Sequence, residues 1–165
     1  MRIVPVLAAA LVVAALTPAP ALAAATVTPK GVGAVKLGAT YTSLRARGLV
    51  GELRPGCELG GPNTRSAVLR APLEGSIDFT LTTPRKARTI SISGGAEARG
   101  VGIGDSAADV RRAYPKAVFN RSVEDTFLAT FVKAGPKGGG PLAFAISTRT
   151  KQVTQIAVPN LALCE

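Results

Sequence analysis

Histidine is absent from this chain of 165 residues, and Cys57 and Cys164 are its only cysteines. Without an imidazole the chain has no Ser-His or Cys-His nucleophile pair, no His-ligated metal and no His proton relay. Two distant thiols do not complete a tetrahedral metal site. Asp105 and Asp109 lie one helical turn apart; helix capping is the reading adopted for them over a cation site. Glu124-Asp125 reads as a solvated turn. Gly100-Val101-Gly102-Ile103-Gly104-Asp105 approaches a dinucleotide loop, but the third glycine of that fingerprint falls on Asp105, and no strand-helix-strand unit frames it. The expectation is a non-enzymatic protein with no catalytic residue, cofactor or metal ligand.

Positive charge is the remaining chemistry. Lys and Arg number 20 against 10 Asp and Glu, a formal charge of +10. Arg45, Arg85, Lys86, Arg88, Arg111, Arg112, Arg149 and Lys151 are the candidate anion-binding residues, because several recur at equivalent places in the two halves. Arg45 answers to Arg111, and Arg85-Lys86-Ala87-Arg88 to Arg149-Thr150-Lys151. Clustered, such residues suit an anionic polymer or lipid headgroup; scattered, they keep a protein soluble. Aromatic residues make up 4% of the chain, without Trp, too few for a base-stacking surface, so no specific nucleic acid is expected.

The elements that must position these charges follow a leader. Arg2, the apolar run Ile3–Leu16, the breaker Thr17-Pro18-Ala19-Pro20 and the small triplet Ala21-Leu22-Ala23 have the order of a secretory signal peptide over residues 1–23, cleaved near Ala23. The run is short of the roughly 17–25 residues that a span needs, so no stable membrane anchor is expected after cleavage. The expected location is extracytoplasmic. There, a lone pair of cysteines reads as a disulfide, Cys57–Cys164. Closing that loop stabilises by about 4–5 kcal/mol in the chain-entropy model.

Beyond the leader the chain repeats itself. Val35-Lys36-Leu37-Gly38-Ala39-Thr40, with Leu44-Arg45 after it, recurs as Val101-Gly102-Ile103-Gly104-Asp105-Ser106 with Val110-Arg111, at a spacing of 66. Phe79–Thr83 answers to Phe144–Thr148 at 65, and Ile90-Ser91-Ile92 to Ile156-Ala157-Val158 at 66. Thr40 and Ser106 stand where helix N-caps belong, and Ser106 with Asp109 has the form of a capping box. Short helices end at Gly48 and Pro115, and alternating segments such as Ile77, Phe79, Leu81 read as strands. The predicted fold class is α+β: tandem units 24–95 and 96–165, each of about 65 residues, with one short helix and a small antiparallel sheet.

A glycine, one residue and Thr or Ser opening a short helix, then a loop and small sheet, twice after a signal peptide, resembles the tandem-repeat β-lactamase inhibitor protein family. It is also similar to the SmpA/OmlA (BamE-like) lipoproteins. Gly38, Thr40, Leu44 and Gly104, Ser106, Val110 carry the resemblance. The Met that those families place between the glycine and Thr is Ala39 and Asp105 here. The inhibitor's disulfide within each repeat has no counterpart, since each repeat here holds one cysteine. The resemblance implies a repeat fold and a non-catalytic role. The functional expectation is a secreted binding module for a protein or cell-envelope component. The alternatives are an inhibitor of a secreted hydrolase and a binder of envelope polyanions.

Overall fold

The structure, a computed structural model, describes residues 24–57, 61–135 and 140–162. The predicted leader 1–23 and Cys164 lie outside the described residues. Four strands, β1 (Ala25–Thr28), β2 (Gly31–Val32), β3 (Val35–Lys36) and β8 (Ala96–Glu97), form one sheet in the order β3-β2-β1-β8. The other sheet has eight: β4 (Arg54–Pro55), β5 (Arg65–Val68), β6 (Glu74–Phe79), β7 (Ala87–Gly94), β9 (Val118–Asn120), β10 (Ala129–Ala134), β11 (Leu142–Ser147) and β12 (Val153–Val158). Their order is β4-β5-β6-β7-β12-β11-β10-β9. Three helices complete the described chain: α1 (Tyr41–Ala46), α2 (Ala107–Ala113) and α3 (Glu124–Phe127), of 6, 7 and 4 residues.

The fold is therefore mostly β, which corrects the α+β reading of two units each built from a helix and its own small sheet. Two causes combine. The helices stop after two turns or fewer, α1 before Gly48, whose φ is +69°, and α2 before Tyr114-Pro115. The sheets also do not stay within their units. Strands β7 and β12 pair antiparallel, with Ile156 opposite Ile92 and Val158 opposite Ile90, fusing the two halves into one continuous ladder. The entry segments are drawn together as well, since β1 pairs in parallel with β8.

Bonds between the helix entries and the sheet recur 66 residues apart. Gly38 donates to the Ala87 carbonyl and Gly104 to that of Val153, both at 2.8 Å; Ala87 donates to Ala39 and Val153 to Asp105, again at 2.8 Å. Phe79 lies opposite Ala87, and Ile146 opposite Val153. Cross-strand partners thus equate Phe79 with Ile146, and Ile77 with Phe144. The alignment of Phe79 on Phe144 that sequence suggests is therefore two residues out of step with the ladder, whose irregularities, between Asp78 and Phe79 and between Ala145 and Ile146, fall at equivalent places in the two halves.

Leu44 of α1 and Val110 of α2 are fully buried on the inner face of this sheet, with Ile77, Ile90, Ile92, Phe144 and Ile156. They belong to one apolar cluster running through both halves. The ladder also approaches itself closely at Gly75, whose φ is +134° and where a Cβ would stand 2.0 Å from the Ser91 carbonyl oxygen. Gly75→Ala is expected to cost about 3 kcal/mol or more. Urea denaturation checks this, and a loss below about 1 kcal/mol would show that the ladder yields at that point.

Candidate functional site

Helix α2 starts in a capping box. Ser106 Oγ accepts from the Asp109 amide at 3.3 Å, and Asp109 Oδ2 accepts from the Ser106 amide at 3.0 Å. The Ser106 hydroxyl and amide hold the Asp109 carboxyl below its ordinary value. In the first half Thr40 caps α1 through the Ser43 amide at 3.2 Å. Asp109 also pairs with Arg112. The capped α2 carries Arg111 on the side facing edge strand β9, where the guanidinium carbon lies 4.0 Å from the centroid of the Phe119 ring. Stacking of this kind fixes the guanidinium plane and leaves its N–H groups available.

Around that stack is a cleft of about 120 Å³ lined by Ala107, Arg111, Phe119, Arg121, Glu124, Thr130, Ile146, Ser147 and Lys151. Lys151 reaches it from the turn between β11 and β12, where its backbone takes a left-handed φ of +60°. Ser147 closes that turn: its Oγ accepts from the Arg149 and Thr150 amides, both at 3.2 Å, which leaves the hydroxyl proton to donate elsewhere. Thr130 donates its proton to Glu124, and Glu124 lies 3.8 Å from Arg121. Arg111 and Lys151 make no side-chain hydrogen bond or ion pair among the described residues. Three cations and one carboxylate thus share a small space, with two of the cations unneutralised.

The remaining candidates fall elsewhere. Arg45 donates to the Val50 carbonyl at 3.2 Å and pairs with Glu52. Arg85 donates to the Asn63 and Thr80 carbonyls, both at 3.2 Å. Those two side chains brace loops of the first half. Lys86 is exposed beside Thr40, Arg112 is held by Asp109, and Arg149 is exposed on the β11–β12 turn. The structure brings Arg111 and Lys151 together and does not join the eight residues in one patch. Sequence reasoning missed Phe119, Arg121, Glu124 and Ser147 as neighbours of Arg111. The available signal was the alternation Val118-Phe119-Asn120, which is only three residues long.

Arg88 lines a different cleft, with Cys57, Arg65, Asp78 and the segment Pro159–Ala162. Burial pushes the Asp78 carboxyl above its ordinary value of 3.8, against the opposing pull of Arg88 and then Arg54. The folded state therefore holds the Asp78 proton more tightly than the unfolded chain does. The stability this group contributes is complete below 3.8 and is lost as pH rises through the folded value. Asp78→Asn is expected to be more stable than the parent at neutral pH and to converge with it below that range. Denaturation curves across pH check this, and a less stable variant at pH 7 would contradict it.

Among the described residues no group of three or more His, Cys, Asp or Glu is placed to hold a metal ion, and no helix is long and apolar enough to cross a membrane. Comparison of the chain with protein-family models, with curated proteins and with solved structures found no match.

Proposed function

We propose that this protein is a secreted, non-enzymatic binding module whose partner is an anionic component of the cell envelope. The observation that carries the reading is the cleft beside α2, where Arg111 and Lys151 stand without a neutralising partner among the described residues, next to Arg121. Like charges held together are costly, and the cost is recovered when an anion enters. The chain's formal charge of +10 adds long-range attraction to an acidic polymer. The test is retention of the leaderless protein on isolated anionic cell-wall polymer. Retention should fall steeply between about 50 and about 200 mM salt and be absent on a neutral polymer. Salt-independent retention, or none, would overturn the reading. Hydrolase inhibition lacks comparable support, because the exposed large apolar residues among the described ones are the single aliphatics Val68, Leu81, Val118 and Leu128.

We also propose that a Cys57–Cys164 disulfide ties the end of the chain to the first half. Two observations support it: Cys57, the one described cysteine, is not free, and it shares a cleft with Leu161 and Ala162, three and two residues before Cys164. Mass spectrometry after alkylation without reduction should find no modified thiol; two modified thiols would reject the bridge.

A further inference from the structure

The two halves differ at the residue that opens each helix and at the sheet residue it meets. Residue 41 and residue 107 are both first in their helices, α1 and α2, 66 apart. In the first half this residue is Tyr41. Its ring meets Phe79 edge-on, centroids 5.6 Å apart at 85°, and its hydroxyl donates to the Gly51 carbonyl at 3.4 Å. In the second half the same positions hold Ala107 and Ile146, and both line the open cleft. Replacing a ring pair by Ala and Ile removes the side chain that fills the space between helix and sheet. The cations differ in the same sense. Arg45, the counterpart of Arg111, is engaged by the Val50 carbonyl and Glu52, whereas Arg111 is only stacked on Phe119.

From this contrast we infer that the cleft beside α2 is a pocket for one phosphate group, formed by Arg111, Arg121, Lys151 and the Ser147 hydroxyl. Size, charge and direction agree. About 120 Å³ is less than the roughly 150 Å³ that takes a benzene ring, so the pocket suits a single oxyanion and leaves the rest of the ligand outside. Three cations less the Glu124 carboxylate leave a surplus of two positive charges, matched to the roughly −1.5 to −2 of a phosphomonoester at neutral pH. Donors reach the space from α2, from the segment after β9 and from the β11–β12 turn. A tetrahedral anion engages donors from three sides, while a planar carboxylate engages two. Glu124 is engaged by Arg121 and accepts a hydrogen bond from the Thr130 hydroxyl, whereas Lys151 has no carboxylate partner among the described residues.

This inference rests on the cleft being the binding site proposed above, and the experiment separates the two. Inorganic phosphate and acetate are titrated into the leaderless protein at constant ionic strength, followed by NMR or calorimetry. Phosphate should bind saturably with one site, and acetate at least about tenfold more weakly. Ala107→Tyr, which restores the first half's plug, should remove phosphate binding with the thermal transition intact. The Arg111→Ala/Lys151→Ala variant should weaken it by at least about tenfold. It keeps the test valid where the added ring disturbs α2. Tyr41→Ala should not create a second site, since Arg45 remains engaged. Glycerol phosphate and vesicles containing phosphatidate distinguish the source: binding of the first alone assigns a soluble or polymer-borne phosphate, and uptake by the second a lipid headgroup. Unsaturable phosphate binding, equal binding of acetate, or full binding by both variants would overturn the pocket. Salt-dependent polymer retention alongside any of these would leave the proposed function standing, and phosphate binding without polymer retention would do the reverse.

Discussion

Phe144→Ala is expected to lower the unfolding free energy by about 3–5 kcal/mol, and to do so in one transition for the whole chain. Phe144 has no exposed surface, sits opposite Val132 and Ile156, which are equally buried, and lies 5.6 Å from the Tyr114 ring. Removing its ring opens a cavity in a region that cannot close, because both neighbouring strands are held by the ladder. Its cross-strand counterpart Ile77 belongs to the same cluster, so Ile77→Ala, at about 2–5 kcal/mol, should move that same transition. The check is denaturation followed by both circular dichroism and the fluorescence of Tyr41 and Tyr114, one in each half. Two separated transitions, or a variant that shifts only one probe, would show that the halves fold independently and that the β7–β12 junction does not couple them.

The second large effect concerns binding. Arg111→Ala/Lys151→Ala is expected to weaken association with an anionic envelope polymer by about a hundredfold or more. A hydrogen bond to a charged group contributes roughly 1.5–3 kcal/mol, and each 1.4 kcal/mol is about tenfold in affinity. The effect on stability should be small, within about 1 kcal/mol, because both side chains are exposed and the loss is mainly the Arg111–Phe119 stack. Arg112→Ala makes the useful contrast. It lies next to Arg111 but pairs with Asp109 outside the cleft, so its removal should change polymer affinity by less than about threefold. An equal loss for Arg112→Ala would mean that general charge, rather than the cleft, governs binding.

Much of this arrangement could be read from the residues, and the part that could not has physical causes. The spacing of 66 was legible because helix entry needs specific chemistry, a glycine with positive φ and a hydroxyl cap, and both halves use it: Gly38 with Thr40, Gly104 with Ser106. The mostly β character was not legible. Strands such as β2, β3, β4 and β8 are two residues long, too short for any alternation to register. Their pairing is decided by distant partners, as where Ala25 of β1 meets Ala96 of β8. For the site, Arg111 and Lys151 stood out through their repeated positions. Arg121 and Glu124 did not, because an irregular segment after β9 and a four-residue helix bring them in, and Ser147 did not, because only the pairing of β10 with β11 sets the end of β11 beside them. The absence that opens the cleft, Ala107 where the first half has Tyr41, becomes meaningful only once the packing of Tyr41 on Phe79 is seen.

The central claim is that the cleft beside α2, and not the overall positive charge, binds the envelope component. The most direct measurement compares two variants that each remove two positive charges: Arg111→Ala/Lys151→Ala in the cleft, and Lys30→Ala/Lys36→Ala at the β1–β2 turn and on edge strand β3. Affinity for isolated anionic cell-wall polymer is measured for both and for the parent across a salt series. The expected result is a large loss of affinity with a shallower salt dependence for the cleft variant, and near-parent behaviour for the variant in the four-stranded sheet. Equal losses in the two variants would contradict the claim.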